Sequence, residues 1–385
     1  MLKNKIVPYY LLSLFFLQSC IKPFIPDIDN ESALKVVVSG KLTNKEGYQF
    51  VSLSKSIALK DWEHQVLSDC IVSIWDDSEN EFPMDEYSDG EYRVWMTNED
   101  LKIGTAYHIQ ILMPNGDELI SEPDIMPQVA PVNIPNYKLD STFDGAYNAF
   151  TKGLQFYLDI NGNKSDSRYY LFEMDATYEH HALYDREWYY DGSVHHIYPP
   201  DSSLYFCWTT ERVPEIFTLS TENLSENIFK DYNLHFVTYH QQYLTYGYSL
   251  LLRQLGLSKR AYLFWENMRL NNNQNASLYS KQPVDTQGNI KNLTNPEKEV
   301  LGFYGASAIS EVRIFVEAQP TEPYPICSPE PLDRLGFRGI DRNDYPAFLL
   351  NNPIGSYYMT LLADPCVNCA SSHGSTTKPS FWPNK

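Results

Sequence analysis

Short segments in which apolar and polar residues alternate recur along the chain from residue 36 to residue 121. Glycine, aspartate and asparagine separate these segments, and a period of two is typical of strands that bury one face. The spacing of the segments is that of a β-sandwich. The pattern therefore predicts an immunoglobulin-like β-sandwich over 35–122, with strands at 36–42, 50–54, 70–75, 91–96, 107–113 and 118–121.

Glycine-containing turns are predicted to join two pairs of these strands. The Asn-Gly pair at 115–116 is typical of a two-residue hairpin turn. Such a turn would pair Leu112 with Leu119 and place both leucines on one half-buried face. The Asp-Gly pair at 89–90 repeats the signal, and it predicts a second hairpin in the same sandwich.

A proline-rich segment follows the predicted sandwich. Prolines recur every four residues from Pro123 to Pro135, and this spacing excludes a helix or a central strand. We therefore expect a linker over 123–136. Beyond it, further alternating segments at 154–160, 169–178 and 309–318 predict a second, β-rich domain over 137–385.

One helical insertion is predicted in this second domain, at about 258–271. Ser258 can cap its start, and the apolar residues at 261, 264, 265 and 268 fall on one helix face. We interpret this stripe as core packing and not as a cofactor site. The polar stretch 271–296 predicts a long loop, and loops of that length often carry function.

The N-terminus predicts export and lipidation. Lys3 and Lys5 precede an apolar stretch of about a dozen residues, which is too short to span a bilayer and is typical of a signal peptide. The order Leu-Gln-Ser-Cys at 17–20 is that of a bacterial lipoprotein cleavage site. We therefore expect a signal peptide at 1–19, a lipidated Cys20 that carries fatty acyl chains such as palmitate, and an extended tether over 20–34.

The composition limits the classes of partner. The 385 residues include 49 acidic and 30 basic side chains, for a net charge of −19, so the surface repels nucleic acid and anionic lipid headgroups. Membrane attachment therefore depends on the lipid at Cys20. The 29 tyrosines fit a β-rich fold, and the same residues would suit a surface that binds a glycan or a protein.

A histidine-rich segment gives the nearest approach to a metal site. If Asp191 and Gly192 form a two-residue turn, Glu187 faces His196 and Trp188 faces His195. Glu187 and His196 could then share a metal ion or a hydrogen bond. The alternative is an exposed hairpin with an ordinary cross-strand pair, and we favour it because adjacent strand residues point to opposite faces.

Five cysteines remain after Cys20, in a compartment that permits disulfides. The simplest count is two bridges and one free thiol. Cys70 lies in an apolar strand and is expected to be the buried, unpaired residue. The C-x-x-C motif near the C-terminus could brace the tail through a disulfide, start a zinc site or form a redox pair. The structural candidates are Cys207, Cys327, Cys366 and Cys369.

Motifs of known enzymes are absent from the sequence. It contains no Gly-x-Ser-x-Gly elbow, no phosphate-binding glycine loop and no His-Glu-x-x-His pair. We therefore expect no catalytic residue and no cofactor. Acidic residues are abundant, so a carboxylate pair of the glycosidase type stays open as an alternative.

Several motifs occur together in a characteristic order. They are Cys20, 37–42, Cys207-Trp208, Gln282-Pro283, 288–290, 302–304, 366–369 and 378–382. In this order the chain resembles the outer-membrane lipoproteins of Bacteroidota that are grouped as domain of unknown function 4249. Cys327 departs from the family pattern and leaves the bridging scheme open.

The resemblance implies a location and a partner but no activity. Proteins of this family are lipid-anchored and are often encoded with a TonB-dependent outer-membrane transporter. We therefore expect an outer-membrane protein on the cell surface that captures a glycan or peptide ligand, or otherwise assists nutrient uptake, beside such a transporter. The alternatives are a surface adhesin or structural lipoprotein without a transport role, and a glycan-active enzyme.

Overall fold

The computed structural model describes residues 35–56, 65–145, 148–239, 242–274, 286–320, 327–333, 335–351 and 359–383. The signal peptide, Cys20 and the tether therefore lie outside the described residues. Among the residues that are described, no helix is long and apolar enough to cross a membrane.

Strands form most of the described chain, and the prediction of a mostly β fold with few helices is confirmed. Helix α1 spans Lys259–Gln274, the short helix α2 spans Asp364–Val367, and four 3-10 turns lie at Gln242–Leu244, Gly336–Gly339, Arg342–Asp344 and Cys369–Ser372. The strands are β1 (Val36–Thr43), β2 (Gly47–Lys55), β3 (Ile71–Asp76), β4 (Glu81–Ser88), β5 (Glu91–Met96), β6 (Ala106–Leu112), β7 (Glu118–Ser121), β8 (Asp124–Ile125), β9 (Asn136–Asp144), β10 (Ala149–Asn161), β11 (Tyr169–His181), β12 (Arg186–Tyr190), β13 (Val194–Asp201), β14 (Phe206–Arg212), β15 (Phe217–Ser220), β16 (Ile228–Thr238), β17 (Tyr248–Gly256), β18 (Ile290–Asn292), β19 (Val300–Ser307), β20 (Ile309–Val316), β21 (Glu330–Leu332), β22 (Ala347–Leu350) and β23 (Met359–Leu362).

The first sheet contains ten strands in the order β18-β7-β6-β3-β4-β5-β2-β1-β19, with β8 paired to β6. It curls around one core, in which Val38, Tyr92, Ile109 and Tyr304 are almost fully buried. The sheet is not complete at residue 122, because β18 and β19 come from much later in the chain. Strand β19 runs parallel to β1, a long-range pairing that alternation within 35–122 does not reveal.

The predicted linker 123–136 packs against both parts of the molecule. It contributes the short strand β8, and Met126 and Ala130 are buried. The amide of Gln254 donates to the carbonyl oxygen of Ala130 at 2.9 Å. The proline-rich segment is therefore a packed connection with an edge strand, in line with the inability of proline to occupy a central strand.

The hairpin predicted at 115–116 forms, but its predicted register is wrong by one residue. Leu119 lies opposite Ile111, and Leu112 is exposed. Pro114 favours a type I turn, and Gly116 adopts the left-handed conformation at φ 84°, which together make a three-residue loop with a bulge. The loop is thus one residue longer than an Asn-Gly turn alone, and each side chain before it changes face.

Three further sheets occur in the described part of the chain. The second has the order β16-β10-β9, and the third has the order β14-β11-β17-β20 with β15 paired to β11. These two sheets enclose a core in which Phe156, Phe172 and Leu252 are nearly inaccessible. The fourth sheet, β13-β12-β22-β23-β21, packs Leu332, Leu349 and Met359 together.

Helix α1 bridges the first and third sheets. The hydroxyl of Ser258 accepts from the N–H of Ala261 at 3.1 Å, so this residue caps the helix as expected. The helix continues to Gln274 and does not end at Asn271, because asparagine lowers helix propensity without breaking a helix. Strand β18 also lies within the stretch 271–296 that we expected to be a loop.

Candidate functional site

A cavity of about 850 Å³ lies between the outer face of the first sheet, helix α1 and the ends of β11 and β14. Its volume exceeds those of the clefts near His235, Asp100, Phe348 and Ile216, which are about 280–690 Å³. Its lining combines aromatic and aliphatic side chains with a small charged cluster, which is the composition of a small-molecule site. The side chains that matter most are Lys41, Tyr48, Phe50, Glu173, Arg212, Phe264, Trp265, Met268 and Phe303.

Strand alternation supplies one wall of the cavity. Val38 and Leu42 of β1 point into the core of the first sheet and are fully buried. Because successive side chains alternate between faces, Ser39, Lys41 and Thr43 lie on the outer face, where they line the cavity. Tyr48, Phe50 and Ser52 of β2 extend this wall in the same way.

Helix α1 supplies the opposite wall. Its stripe was expected to be core packing, and Ala261 is buried accordingly. Phe264 and Trp265 pack only partly against the core, and both line the cavity together with Met268. The rings of Phe264 and Phe303 stack with their centroids 5.2 Å apart, so the helix and β19 present a continuous aromatic surface.

Three charged side chains lie at the junction of the two walls. Lys41 donates a hydrogen bond to the carboxylate of Glu173, and a guanidinium nitrogen of Arg212 lies 2.8 Å from the same Glu173 oxygen. Burial lowers the pKa of Lys41, although the contact with Glu173 acts in the opposite direction. Among the lining residues, two cations therefore face one carboxylate.

The acidic side chains next to this cluster form ion pairs with other cations. Arg253 contacts Asp175 at 2.5 Å and Glu311 at 3.0 Å, and Lys45 also contacts Glu311 at 2.7 Å. These pairs hold the carboxylates next to the cavity in place. The positive charge at Arg212 is therefore shared with Glu173 alone among the described ion pairs.

An exposed aromatic surface adjoins the mouth of the cavity. Tyr48 and Phe50 line the cavity and belong at the same time to this surface, where about half of each side chain is exposed. Trp95 packs against Tyr48 with the ring centroids 5.1 Å apart. The guanidinium of Arg93 lies between the rings of Tyr48 and Tyr87, at 4.4 Å and 4.7 Å from their centroids.

The predicted pair of Glu187 and His196 is present on an exposed hairpin. Their side chains approach to 3.4 Å between Oε1 and Nε2, and each is at least two-fifths exposed. The predicted partner of Trp188 is wrong, since Trp188 lies opposite His196 and stacks on it. The turn contains three residues, with Gly192 at φ 115°, and this shifts the register by one.

Among the described residues, the pair of Glu187 and His196 has no third metal-ligating neighbour. No group of three or more histidine, cysteine, aspartate or glutamate side chains suited to a metal ion occurs in the described part of the chain. The contact between Glu187 and His196 is a hydrogen bond within the hairpin.

The four candidate structural cysteines form two pairs. Cys207 bonds to Cys369, and Cys327 bonds to Cys366, so the cysteines of the C-x-x-C motif have different partners. Cys70 is free and buried, and burial raises the pKa of its thiol. The first bridge ties β14, which ends at the cavity residue Arg212, to the C-terminal tail.

No local motif marks the cavity residues in the sequence. Lys41, Glu173 and Arg212 come from three strands that are far apart in the chain, and only the fold brings them together. Two sequence patterns nevertheless contain lining residues of the cavity. The stripe of α1 contains Phe264 and Trp265, and the motif 302–304 contains Phe303.

Comparison with known proteins identifies one family. The model of the family described as Domain of unknown function (DUF4249) matches residues 21–313, which include every lining residue of the cavity. No curated protein matches the chain.

Proposed function

Because the chain belongs to the DUF4249 family, whose function is unknown, we propose that it is a lipid-anchored outer-membrane protein that captures a ligand beside a TonB-dependent transporter. The mechanism is binding without chemistry. The lipid at Cys20 holds the protein at the membrane, and the cavity between the first sheet and α1 receives the ligand. The transporter then takes up what the cavity has collected.

The cavity is the observation that carries this proposal. Its volume of about 850 Å³ falls in the range of sites for small molecules, roughly 300–1,000 Å³. Five aromatic rings line it and offer large apolar contact areas. Because only three of the described lining residues are charged, polar groups can set the orientation of a ligand while the rings supply most of the contact area.

The N-terminal sequence supports attachment to a membrane. The segment from Cys20 to residue 34 contains prolines and acids, and in an extended conformation it could hold the first sheet up to roughly 40 Å from the lipid. A tethered binding protein of this kind can reach a neighbouring transporter in the same membrane.

An exposed hairpin offers a surface for contact with the transporter. Leu139 and Phe143 of β9 and Phe150 of β10 are each more than half exposed. The rings of Phe143 and Phe150 pack against each other with centroids 5.6 Å apart. Exposed apolar side chains that cluster in this way are typical of protein-binding surfaces.

Recovery of the tagged, full-length protein from gently solubilised native membranes tests the proposal, with the bound proteins identified by mass spectrometry. We expect a stoichiometric TonB-dependent transporter with the native protein. The unanchored Cys20→Ala chain should lose it, and the hairpin double variant Phe143→Ser and Phe150→Ser should recover less of it.

Recovery of the lipoprotein alone would contradict the accessory role. An adhesin or a structural lipoprotein would then be favoured. Turnover of a glycan panel that is lost when one acidic residue is neutralised would identify an enzyme instead.

A further inference from the structure

The cavity carries enough chemical detail to define its ligand by class. We infer that it binds a molecule with an apolar, ring-containing body and a single anionic group, and that Arg212 binds the anion. This inference rests on the proposed ligand-capturing function and specifies what is captured.

The charge of the lining favours an anion. Lys41 and Arg212 both contact Glu173, so the three groups together carry one excess positive charge. The chain as a whole has a net charge of −19, so this cavity is a cationic site on an acidic protein. Lys41 and Arg212 would attract an anionic ligand, whereas they would repel a cationic ligand.

Accessibility distinguishes the two cations. The side chain of Arg212 is 60% exposed, whereas that of Lys41 is 33% exposed and that of Glu173 is 11% exposed. A guanidinium has five N–H donors, and the contact with Glu173 engages only one of the Arg212 nitrogens. Arg212 therefore keeps donors for a second, planar anion, while Glu173 holds it in position.

The walls of the cavity define the body of the ligand. Trp265 and Phe264 face the cavity from α1, Phe303 joins them from β19, and Tyr48 and Phe50 lie on the facing strand. Rings of this kind favour flat, apolar partners through stacking and edge contacts. The polar lining residues are hydroxyls and an amide, which accept or donate hydrogen bonds without adding charge.

A pair of fluorescent probes that differ only in one anionic group measures the contribution of that group to the binding affinity. The probe 1-anilinonaphthalene-8-sulfonate has an aromatic body with one sulfonate, and N-phenyl-1-naphthylamine has the same body without it. Both are titrated into the mature chain carrying Cys20→Ala, which avoids a detergent that would itself take up the probes. We expect the sulfonate probe to bind with one site per chain and about tenfold or more tightly than the neutral probe.

Substitutions then assign the binding to the cavity. Arg212→Gln should lower the affinity for the sulfonate probe about tenfold, since it removes the charge-assisted contact. The affinity for the neutral probe should change by less than about twofold. Trp265→Ala should weaken both probes. Ser39→Trp should prevent the binding of both probes by filling the cavity. Ser39 is an exposed lining residue, so the substitution does not disturb a hydrophobic core. This variant replaces Trp265→Ala if the Trp265→Ala chain fails to fold.

Two matched controls complete the experiment. Arg338→Gln removes an exposed arginine far from the cavity in sequence, and Phe150→Ser removes an apolar surface site to which the probes could adhere. Neither should alter the affinity for the sulfonate probe. A titration with benzoate and with benzenesulfonate as competitors shows whether carboxylates and sulfonates are both accepted.

Equal affinity for the two probes, or an unchanged sulfonate affinity in Arg212→Gln, would overturn the inference about the anion. Binding of both probes in the cavity would still support ligand capture in that case. Binding that survives Ser39→Trp would overturn both, because the probes would then occupy another place.

Discussion

Lys41 and Glu173 form an ion pair across the gap between the first and third sheets, although 132 residues separate them in the chain. Arg212 joins the same carboxylate from β14. One glutamate thus connects three strands at the edge of the cavity. This contact joins the first sheet, which forms one wall of the cavity, to the third sheet, against which helix α1 packs.

Loss of Lys41 should destabilise the fold. Lys41→Met is expected to lower the free energy of unfolding by about 1–3 kcal/mol, since the partly buried Glu173 would keep only one cation. Lys45→Met is the matched control, because its pair with Glu311 is more exposed and should contribute less than about 1 kcal/mol. Urea unfolding measures both, and equal losses would contradict a structural role for the inter-sheet pair.

Gly302 should not tolerate a side chain. Its φ is 105°, and a Cβ atom there would lie 1.9 Å from the carbonyl oxygen of Val38 on the neighbouring strand. Gly302→Ala is therefore expected to separate β1 from β19 and to cost more than about 3 kcal/mol of unfolding free energy. Gly339→Ala has open space and should change stability by less than about 0.5 kcal/mol. A Gly302→Ala chain as stable as this control would show that the two strands do not pair.

The stability of the protein should fall in mild acid because of His180. This side chain is fully buried, its Nε2 lies 2.9 Å from the hydroxyl oxygen of Thr209, and burial lowers its pKa from 6.5 to about 4. The folded state thus favours the neutral ring, so its contribution is complete above about pH 6.5 and is lost as the pH falls towards 4.

The variant His180→Gln isolates this effect from those of other histidines. Over the range from about pH 6.5 to 4, the unfolding free energy of the native chain should fall by on the order of 3 kcal/mol more than that of the variant. Parallel slopes in urea unfolding at each pH would contradict the assignment to His180.

Both disulfides should contribute to stability. The pairs close 39 and 162 residues, and the chain-entropy model predicts losses of about 4 and about 5 kcal/mol for the double serine variants of Cys327 with Cys366 and of Cys207 with Cys369. Unfolding curves measure these losses, and peptide mapping without reduction checks the pairs. A bond between Cys366 and Cys369 would contradict the fold of the tail.

The fold class could be predicted from alternation, but the pairing of strands could not. The strand from Val36 was predicted at its place, and yet nothing near it indicates that its neighbour is β19, since the partner lies more than 250 residues away. The turns at 115–116 and at 191–192 were located correctly, but in both hairpins the observed strand register differs from the predicted one by one residue. In each case a three-residue loop with a glycine replaced the expected two-residue turn.

The candidate site was only partly visible in the sequence. The stripe on α1 was recognised, but an apolar helix face looks the same whether it covers a core or a cavity. Lys41, Glu173 and Arg212 carry no spacing signal because their contact depends on the packing of separate sheets.

The most direct test of ligand capture is to ask what the protein carries when it is isolated. The native protein and Trp265→Ala are purified in parallel from their own membranes under mild conditions, and small molecules are extracted from both and compared by mass spectrometry. We predict at least one aromatic anion that is enriched with the native protein and lost with Trp265→Ala. Identical extracts from the two chains, at a protein concentration that would reveal a bound molecule, would contradict the proposal that this cavity captures a ligand.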